Sequence, residues 1–312
     1  MSIVALAGGI GAARFLRGLV RVVDPGELTV VANTGDDLRL HGLHVSPDLD
    51  TIVYTLGDGV HPEQGWGRAG ETFAVSEELR DRYGIPPWFA LGDRDIATHL
   101  ARLAVLSRGG TLSEATSVIA KAWGLGFRLL PMTDDPVATR IRTKDGRQLH
   151  FQEWWVGEHA GPEVAEVWLE GAASARPAPG VREAIAAADA VVLCPSNPVV
   201  SIGTILDVPG IREALRPRVV VGVSPIVAGQ VVRGMADKLL PVAGTPVSAL
   251  GVAGSYADFL DGWVIDQADV ESKSAIAALG VQVAVTDTIM ATTEVAERLA
   301  RVALNLAGIS TA

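Results

Sequence analysis

Short apolar runs alternate with amphipathic stretches along most of the chain. The first run, Ile3–Ala7, leads into Gly8-Gly9-Ile10-Gly11, and Ala12–Val23 then carries apolar side chains at the spacing of a helix. A second apolar run, Leu28–Ala32, follows. A strand, a glycine loop, a helix and another strand form a β-α-β unit, so the pattern predicts two parallel strands.

Further apolar runs predict strands in the second half of the chain. They are Ala190–Leu193, Val219–Val223, Trp263–Ile265 and Val281–Val285. These runs are continuously apolar, which is typical of strands whose two faces are both covered by helices. We therefore expect an α/β fold with a Rossmann-like parallel sheet at least five strands wide, flanked by helices.

The middle of the chain has a different pattern, which predicts two helices and then a β-hairpin. These segments are Asp93–Arg108, Ser113–Trp123, Ala138–Thr143 and Arg147–Trp155. Asp145-Gly146, between the last two, is a strong hairpin signal. We assign residues 1–60 and 175–312 to a nucleotide-binding core, and residues 61–174 to a smaller inserted region on the substrate side.

Composition narrows the class of protein. Of 312 residues, 48% are hydrophobic and 20% are charged, which excludes a disordered chain. A single cysteine, Cys194, excludes a disulfide framework and suits the cytoplasm, where we expect the protein. The net charge of -10 argues against a nucleic-acid binder. The apolar runs are too short to span a membrane and the N-terminus lacks a signal-peptide pattern, so we expect no membrane partner.

The glycine loop after the first strand is a candidate phosphate site, because the free amides at a helix N-terminus attract anions. The alternative is a tight turn without a ligand. The loop is a poor dinucleotide fingerprint, since Arg14 stands where a third glycine or alanine is expected. The second strand ends at Asn33, without the acidic residue that would bind a ribose.

Four carboxylates follow the second strand. Asp36 and Asp37 come first, and Asp48 and Asp50 lie at the start of the next predicted helix. Ligands bind at the carboxyl ends of strands in open α/β sheets, and carboxylates beside a phosphate suggest Mg²⁺. The alternative is that Asp48 or Asp50 caps the helix.

Three other polar clusters are candidate parts of a pocket. Asp93-Arg94-Asp95 opens a helix that also carries Thr98-His99, although Asp93 is also a plausible helix cap and His99 a plausible structural hydrogen-bonding group. Met132–Pro136 ends an apolar run with paired acids, or forms a turn. Pro195–Pro198 follows a predicted strand, and we interpret the neighbouring Cys194 as a small buried residue.

The order of these motifs strongly resembles the 2-phospho-L-lactate transferase family of coenzyme F-420 biosynthesis. The motifs that carry the resemblance are Gly8–Gly11, Asn33–Asp37, Ser46–Thr51, Leu91–Asp95 with Thr98-His99, Leu130–Pro136, His150–Glu153 and Pro195–Pro198. The similarity continues through Val223–Ile226 and Asp258–Asp261 to Thr286–Met290. It therefore spans nearly the whole chain.

The resemblance implies an Mg²⁺-dependent transfer to the deazaflavin Fo. The donor is a guanosine diphosphate linked to a three-carbon acid, with lactate, enolpyruvate and glycerate open as the acid. The terminal ribitol hydroxyl of Fo attacks the phosphorus that carries the acid, and GMP leaves. Members of the family are commonly dimeric, so a homodimer is expected.

The resemblance and the chemistry of phosphoryl transfer together assign candidate residues. We expect the guanosine nucleotide to contact Gly8, Gly9, Gly11, Pro195, Ser196, Asn197 and Ser201. We expect Fo to contact Asp50, Asp93, Arg94, Asp95, Thr98, His99 and Met132. The candidate Mg²⁺ ligands are Asp36, Asp37 and Asp48. The candidate catalytic residues are Asp50 as the proton acceptor, Arg94 as a charge-stabilising group, and Asp36.

Two other classes of function compete with this hypothesis. A non-catalytic regulator that senses nucleotides or sugar nucleotides would need the glycine loop, but not the clusters at Asp93–Asp95 and Met132–Pro136. A dehydrogenase of the Rossmann type is disfavoured by Arg14 and Asn33.

Overall fold

The computed structural model describes residues 1–310, and its centre is a seven-stranded parallel sheet. In chain order the strands are β1 (Ile3–Ala7), β2 (Leu28–Ala32), β3 (Leu38–Leu40), β4 (Leu43–Val45), β5 (Arg128–Pro131), β6 (Ala138–Thr143), β7 (Gln148–His150), β8 (Val164–Glu170), β9 (Ala190–Leu193), β10 (Val220–Val223), β11 (Ile226–Val227), β12 (Gln230–Val231), β13 (Gly262–Asp266) and β14 (Gln282–Thr286). The central sheet has the order β14-β13-β10-β9-β1-β2-β5.

Helices cover both faces of this sheet. They are α1 (Gly9–Leu19), α2 (Pro47–Leu56), α3 (Ala74–Tyr83), α4 (Asp93–Leu106), α5 (Leu112–Ala122), α6 (Val181–Ala187), α7 (Thr204–Asp207), α8 (Ile211–Leu215), α9 (Ala236–Leu239), α10 (Ala249–Ser255), α11 (Lys273–Ala277) and α12 (Thr293–Leu306). The predicted α/β class and the parallel sheet are thus confirmed. Within residues 1–310, no helix is long and apolar enough to cross a membrane.

The strands of the central sheet are buried on both faces, as their continuous apolar sequences predict. In β1, Val4 and Leu6 belong to one hydrophobic core, and Ile3 and Ala5 belong to the other. Successive side chains of a strand point to opposite faces, so one short strand contributes to two cores. Each fully buried aliphatic side chain of this kind stabilises the fold by about 1.5–3 kcal/mol.

The edge strand β5 is the main part of the sheet that the sequence analysis missed. It pairs in parallel with β2, so residues 61–174, which the sequence pattern groups as an insert, contribute a strand to the central sheet. The strand has only four residues, between a helix and the Met132 loop, and such a short apolar run does not distinguish a strand from a turn.

The predicted hairpin exists, but its second strand is much shorter than Arg147–Trp155. The strand β7 ends at His150, and residues 153–157 form a helical turn. The Glu153 carboxylate accepts a hydrogen bond from the His150 amide at 2.8 Å, and the buried Trp154 indole donates to the Pro162 carbonyl at 2.9 Å. These contacts turn the chain away from the hairpin, and β8 pairs with β6 instead as a third strand.

Candidate functional site

The glycine loop and the Pro195–Pro198 loop lie side by side at the carboxyl edge of the sheet, as predicted. The Gly8 amide donates a hydrogen bond to Ser196 Oγ at 3.1 Å. A Cβ atom at position 11 would lie 2.3 Å from the Pro195 carbonyl oxygen, so only glycine allows this approach. The loop opens directly into α1, where Gly8 provides no side-chain cap and the Gly9 backbone already hydrogen-bonds to Asp48, so the remaining amides of the first turn can bind an anion.

Asn33 connects three segments of the site, although the sequence analysis used it only as evidence against a dinucleotide site. Its Nδ2 donates to Asp48 Oδ2 at 2.8 Å and to the Val200 carbonyl at 3.1 Å. Its Oδ1 accepts from the Gly35 amide at 2.8 Å and from Thr204 Oγ1 at 2.7 Å. All hydrogen-bonding positions of the amide are therefore used. The sequence feature that could have identified Asn33 as a site residue is its position as a polar residue directly after an apolar strand.

Asp36, Asp37 and Asp48, here called the acidic group, are buried together beside the glycine loop. Burial raises the pKa of Asp48 to about 7 and that of Asp36 well above its usual value, and the Asp48 charge raises that of Asp36 further. Burial also raises the pKa of Asp37, against the hydrogen bond from His44. The protein itself places little positive charge beside these three carboxylates.

The hydrogen bonds of the acidic group are incomplete. Asp37 Oδ2 accepts from Ser46 Oγ and lies 2.7 Å from His44 Nε2, but Asp37 Oδ1 is buried without a partner. The hydrogen bonds that Asp36 accepts from Thr139 Oγ1 and Gln152 Nε2 are long, at 3.4 and 3.5 Å. Oxygen atoms of this kind fit a hard cation.

The three predicted Mg²⁺ ligands do not form a complete protein cage. Across residues 1–310, no three side chains of His, Cys, Asp or Glu are grouped to hold a metal ion. A fit to Mg²⁺ therefore depends on one or two carboxylates with phosphate oxygens and water, which is the usual way in which proteins bind this ion.

The two acids at the start of α2 do not cap it, which corrects the capping alternative. The N-cap residue is Ser46, and Asp48 and Asp50 lie in the first turn. Asp48 faces the glycine loop, since a Cβ atom at Gly8 would lie 2.7 Å from Asp48 Oδ2. The Asp50 carboxylate faces Arg102 on α4 instead of the glycine loop.

Arg102 is the most important residue that the sequence analysis missed. Its guanidinium is fully buried, and both terminal nitrogens donate to the Asp50 carboxylate, with Nη1 3.2 Å from Oδ2. Nη1 also lies 3.2 Å from His99 Nδ1 and 3.2 Å from the His44 carbonyl. Burial works to lower the pKa of Arg102, but the Asp50 charge raises it above its usual value. The sequence feature that could have identified Arg102 is its position three residues after His99, which places both side chains on the same face of one helix.

The network continues from His99 to Asp95. His99 Nε2 lies 3.5 Å from Asp95 Oδ2, and the Tyr54 hydroxyl donates to Asp95 Oδ1. Burial works to raise the pKa of Asp95, but the hydrogen bonds from His99 and Tyr54 lower it overall. Arg102, Asp50, His99, Asp95 and Tyr54, here called the Arg102 network, thus form a buried set in which opposite charges compensate.

Asp93 and Arg94 contact the neighbouring loop rather than the acidic group. Gly92, not Asp93, is the N-cap residue of α4. The Asp93 carboxylate instead accepts from the Ala74 and Val75 amides at the start of α3, at 3.1 and 3.0 Å. Arg94 Nη1 donates to the Ala69 carbonyl at 3.1 Å. The predicted contacts of both residues with a ligand stay predictions.

Four other candidate residues lie in the core or contact neighbouring residues of the fold. Met132 is fully buried in the core that also contains Val4 and Leu6, and its contact with Fo stays a prediction. Asn197 caps the turn at residues 198–203 by accepting from the Val199 and Val200 amides, while Ser201 is buried against Gly8. Thr98 is buried on α4 beside His99. Cys194 is buried as predicted, and burial raises the pKa of its thiol.

A cavity of about 280 Å³ opens beside Asp37. Trp88, Arg39 and Arg140 line it, together with His150 and Glu153 from the motif after the hairpin. Burial lowers the pKa of His150, and its Nε2 lies 3.1 Å from the Asp37 carbonyl, so a neutral imidazole joins the cavity to the acidic group. A half-buried indole beside arginines suits a flat, polar aromatic molecule.

Comparison with known proteins gives matches over almost the entire length. The model of the family described as 2-phospho-L-lactate transferase CofD matches residues 3–300. A phosphoenolpyruvate transferase of Kitasatospora aureofaciens is 53% identical, over 98% of both chains. Proteins of the same name from Thermobifida fusca and Mycolicibacterium smegmatis are 51% and 44% identical, over 98% and 99% of this chain and 98% and 100% of theirs.

Among solved structures, a member of the UPF0052 family from Bacillus halodurans has a similar fold. The TM-score is 0.61 at 17% sequence identity, over 97% of this chain and 98% of the other. At this identity the similarity supports the fold alone.

Proposed function

The chain belongs to the 2-phospho-L-lactate transferase family, and we propose that it transfers a phosphoenolpyruvyl group from a guanosine diphosphate donor to Fo. Family membership confirms the predicted class of activity, a transferase of coenzyme F-420 biosynthesis. The names of relatives that are 42–53% identical support enolpyruvate over lactate and glycerate as the transferred acid.

The observation that carries the proposal is the acidic group beside the glycine loop. The first turn of α1 offers amides to the donor phosphates, and Ser196 already contacts this loop. The donor therefore lies between the glycine loop and the Pro195–Pro198 loop, with its reacting phosphorus toward Asp36 and Asp48.

The charge of the acidic group is the reason to propose Mg²⁺ as the cofactor. Asp36 and Asp48 would hold the ion, with the unpartnered Oδ1 of Asp37 nearby. When bound, Mg²⁺ supplies neutralisation of the charge on the phosphate oxygens. Without a cation, the donor diphosphate and these carboxylates would repel each other.

The acceptor is proposed to bind in the cavity lined by Trp88, Arg39 and Arg140, which opens beside Asp37. In the reaction, the ribitol oxygen of Fo forms a bond to the phosphorus that carries the acid. The bond from that phosphorus to the oxygen of GMP breaks, and GMP leaves with the electron pair. The hydroxyl proton passes to a carboxylate of the site.

Asp50 stays the proposed acceptor of this proton. Its ion pair with Arg102 must be taken into account when this role is tested. Because Arg102 is bound to both Asp50 oxygens, Asp50→Asn removes a buried counter-charge as well as a basic oxygen. If Asp50 accepts the proton, single-turnover formation of product falls roughly 10²–10⁴-fold. Arg102→Lys is the matched control, since it keeps the carboxylate but disturbs the same ion pair. Equal losses in both variants would contradict a base role.

The direct test of function is to incubate the protein with Fo, Mg²⁺ and one donor at a time, carrying enolpyruvate, lactate or glycerate. Mass spectrometry then identifies the phosphodiester of Fo. We expect the enolpyruvyl product and release of GMP. Binding of nucleotide without product from any donor would favour the non-catalytic regulator. The proposed homodimer is tested on the same sample by light scattering, and the cytoplasmic location by cell fractionation.

A further inference from the structure

Two arginines from distant parts of the chain flank one point beside the glycine loop. Arg14 lies on α1, and Arg233 follows the small hairpin of β11 and β12. A Cβ atom added at Gly65 would lie 3.5 Å from Arg14 Nη2 and 3.6 Å from Arg233 Nη1. Two like charges therefore point at the same small volume.

Both arginines are exposed, and neither forms an ion pair with another residue in the range 1–310. Among the described residues, no carboxylate lies within ion-pair distance of Arg14 or Arg233. The chain has 36 acidic residues against 26 basic ones, so acidic side chains are plentiful. Arg233 Nη2 donates a hydrogen bond to the Gln64 carbonyl at 2.7 Å. Burial lowers the pKa of Arg233, and the charge of Arg14 lowers it further.

Gly65 keeps the space between the two guanidinium groups open. Its φ of +71° lies in the left-handed region that favours glycine, and it has no side chain to fill the gap. The same point lies 3.3 Å from Ile10 Cγ2, in the middle of the glycine loop. The gap therefore borders the glycine loop at Ile10.

We propose that Arg14 and Arg233 bind an oxyanion of the donor, as a second anion site beside the glycine loop. An oxyanion in the gap would relieve the repulsion between the two guanidinium groups and accept charge-assisted hydrogen bonds from both. The oxyanion is either a phosphate or the carboxylate of the three-carbon acid. The proposal rests on the proposed function for the identity of the donor.

Calorimetric binding of two probes, in the absence of Fo, separates these sources. GDP carries phosphates only, and guanosine diphosphate linked to lactate adds the carboxylate. We expect Arg14→Gln and Arg233→Gln each to weaken binding about 10-fold, the usual effect of one charged hydrogen bond. A loss with both probes identifies a phosphate, and a loss with the lactate-linked probe alone identifies the carboxylate. Arg21→Gln, just after α1 and paired with Glu294, is the matched control and should bind normally.

The proposal is overturned if both substituted proteins bind both probes like the wild type, or if the wild type binds neither probe. Circular dichroism and melting temperature confirm that each variant is folded, and Arg233→Lys should retain more affinity than Arg233→Gln. Turnover of Fo is not part of this measurement. A protein that binds the probes through this pair but makes no product would contradict the proposed function and leave the anion site standing.

Discussion

The acidic group and the Arg102 network both bury aspartates at the carboxyl edge of the sheet, but they treat the charge in opposite ways. Asp50 and Asp95 face Arg102, His99 and Tyr54, so a buried positive charge lies beside the carboxylates, although Arg102 Nε and His99 Nε2 are buried without hydrogen-bond partners. Asp36 and Asp48 face each other, and burial raises their pKa values. The charges of the Arg102 network compensate one another within the protein, whereas those of the acidic group do not, which is the reason to propose a cation at the acidic group.

The largest effect is expected from Arg102→Leu. This change leaves Asp50 buried without its counter-charge, which typically costs about 3–5 kcal/mol of unfolding free energy. Denaturant unfolding of the variant measures it. Arg108→Leu, exposed just beyond the end of α4, is the control and should stay within about 0.5 kcal/mol of the wild type. A small loss in Arg102→Leu would show that the network does not stabilise the fold.

In protein free of metal and nucleotide, the acidic group should make the unfolding free energy decrease as pH rises. Because the pKa of Asp48 is raised to about 7, the folded state binds more protons than the unfolded chain between about pH 4 and pH 7. The unfolding free energy should therefore fall as pH rises through this range, by about 1–4 kcal/mol. Asp48→Asn should flatten the curve. An equally steep fall in Asp48→Asn would contradict the assignment to this residue.

A much smaller effect is expected at Asp93, whose carboxylate binds the start of α3. Asp93→Asn keeps part of this contact, so the melting temperature should drop by only about 1–3 °C. If Asp93 also contacts Fo, as the family resemblance implies, the KM for Fo should rise while the KM for the donor stays constant. Unchanged kinetics would leave Asp93 a structural residue.

The sequence alone correctly predicted several strands and the position of the glycine loop. The strands β1, β2 and β9 have the predicted bounds, because continuous apolar runs next to glycine or proline leave few alternatives. The side-by-side placement of the glycine loop and Ser196 followed from parallel strands ending at one edge. Both inferences need only local pattern and topology.

The ion pair between Asp50 and Arg102 needed three-dimensional information. The two residues are 52 positions apart, and nothing in the order of motifs links the first turn of α2 to the inner face of α4. The same holds for Asn33 and Thr204, which meet across 171 positions. Met132 shows a related limit, since a motif shared with a family does not tell whether a side chain faces the ligand or the core, and Met132 lies in the core.

The central claim, that the acidic group awaits a cation, is tested most directly by following product formation from Fo while Mg²⁺ is titrated. Wild-type protein in excess EDTA should form no product, and Mg²⁺ should restore turnover. Asp36→Asn should fold normally but need at least about 10-fold more Mg²⁺ or lose turnover, because it removes one ligand charge. Full activity of the wild type in excess EDTA, or an unchanged Mg²⁺ requirement in Asp36→Asn, would contradict the claim.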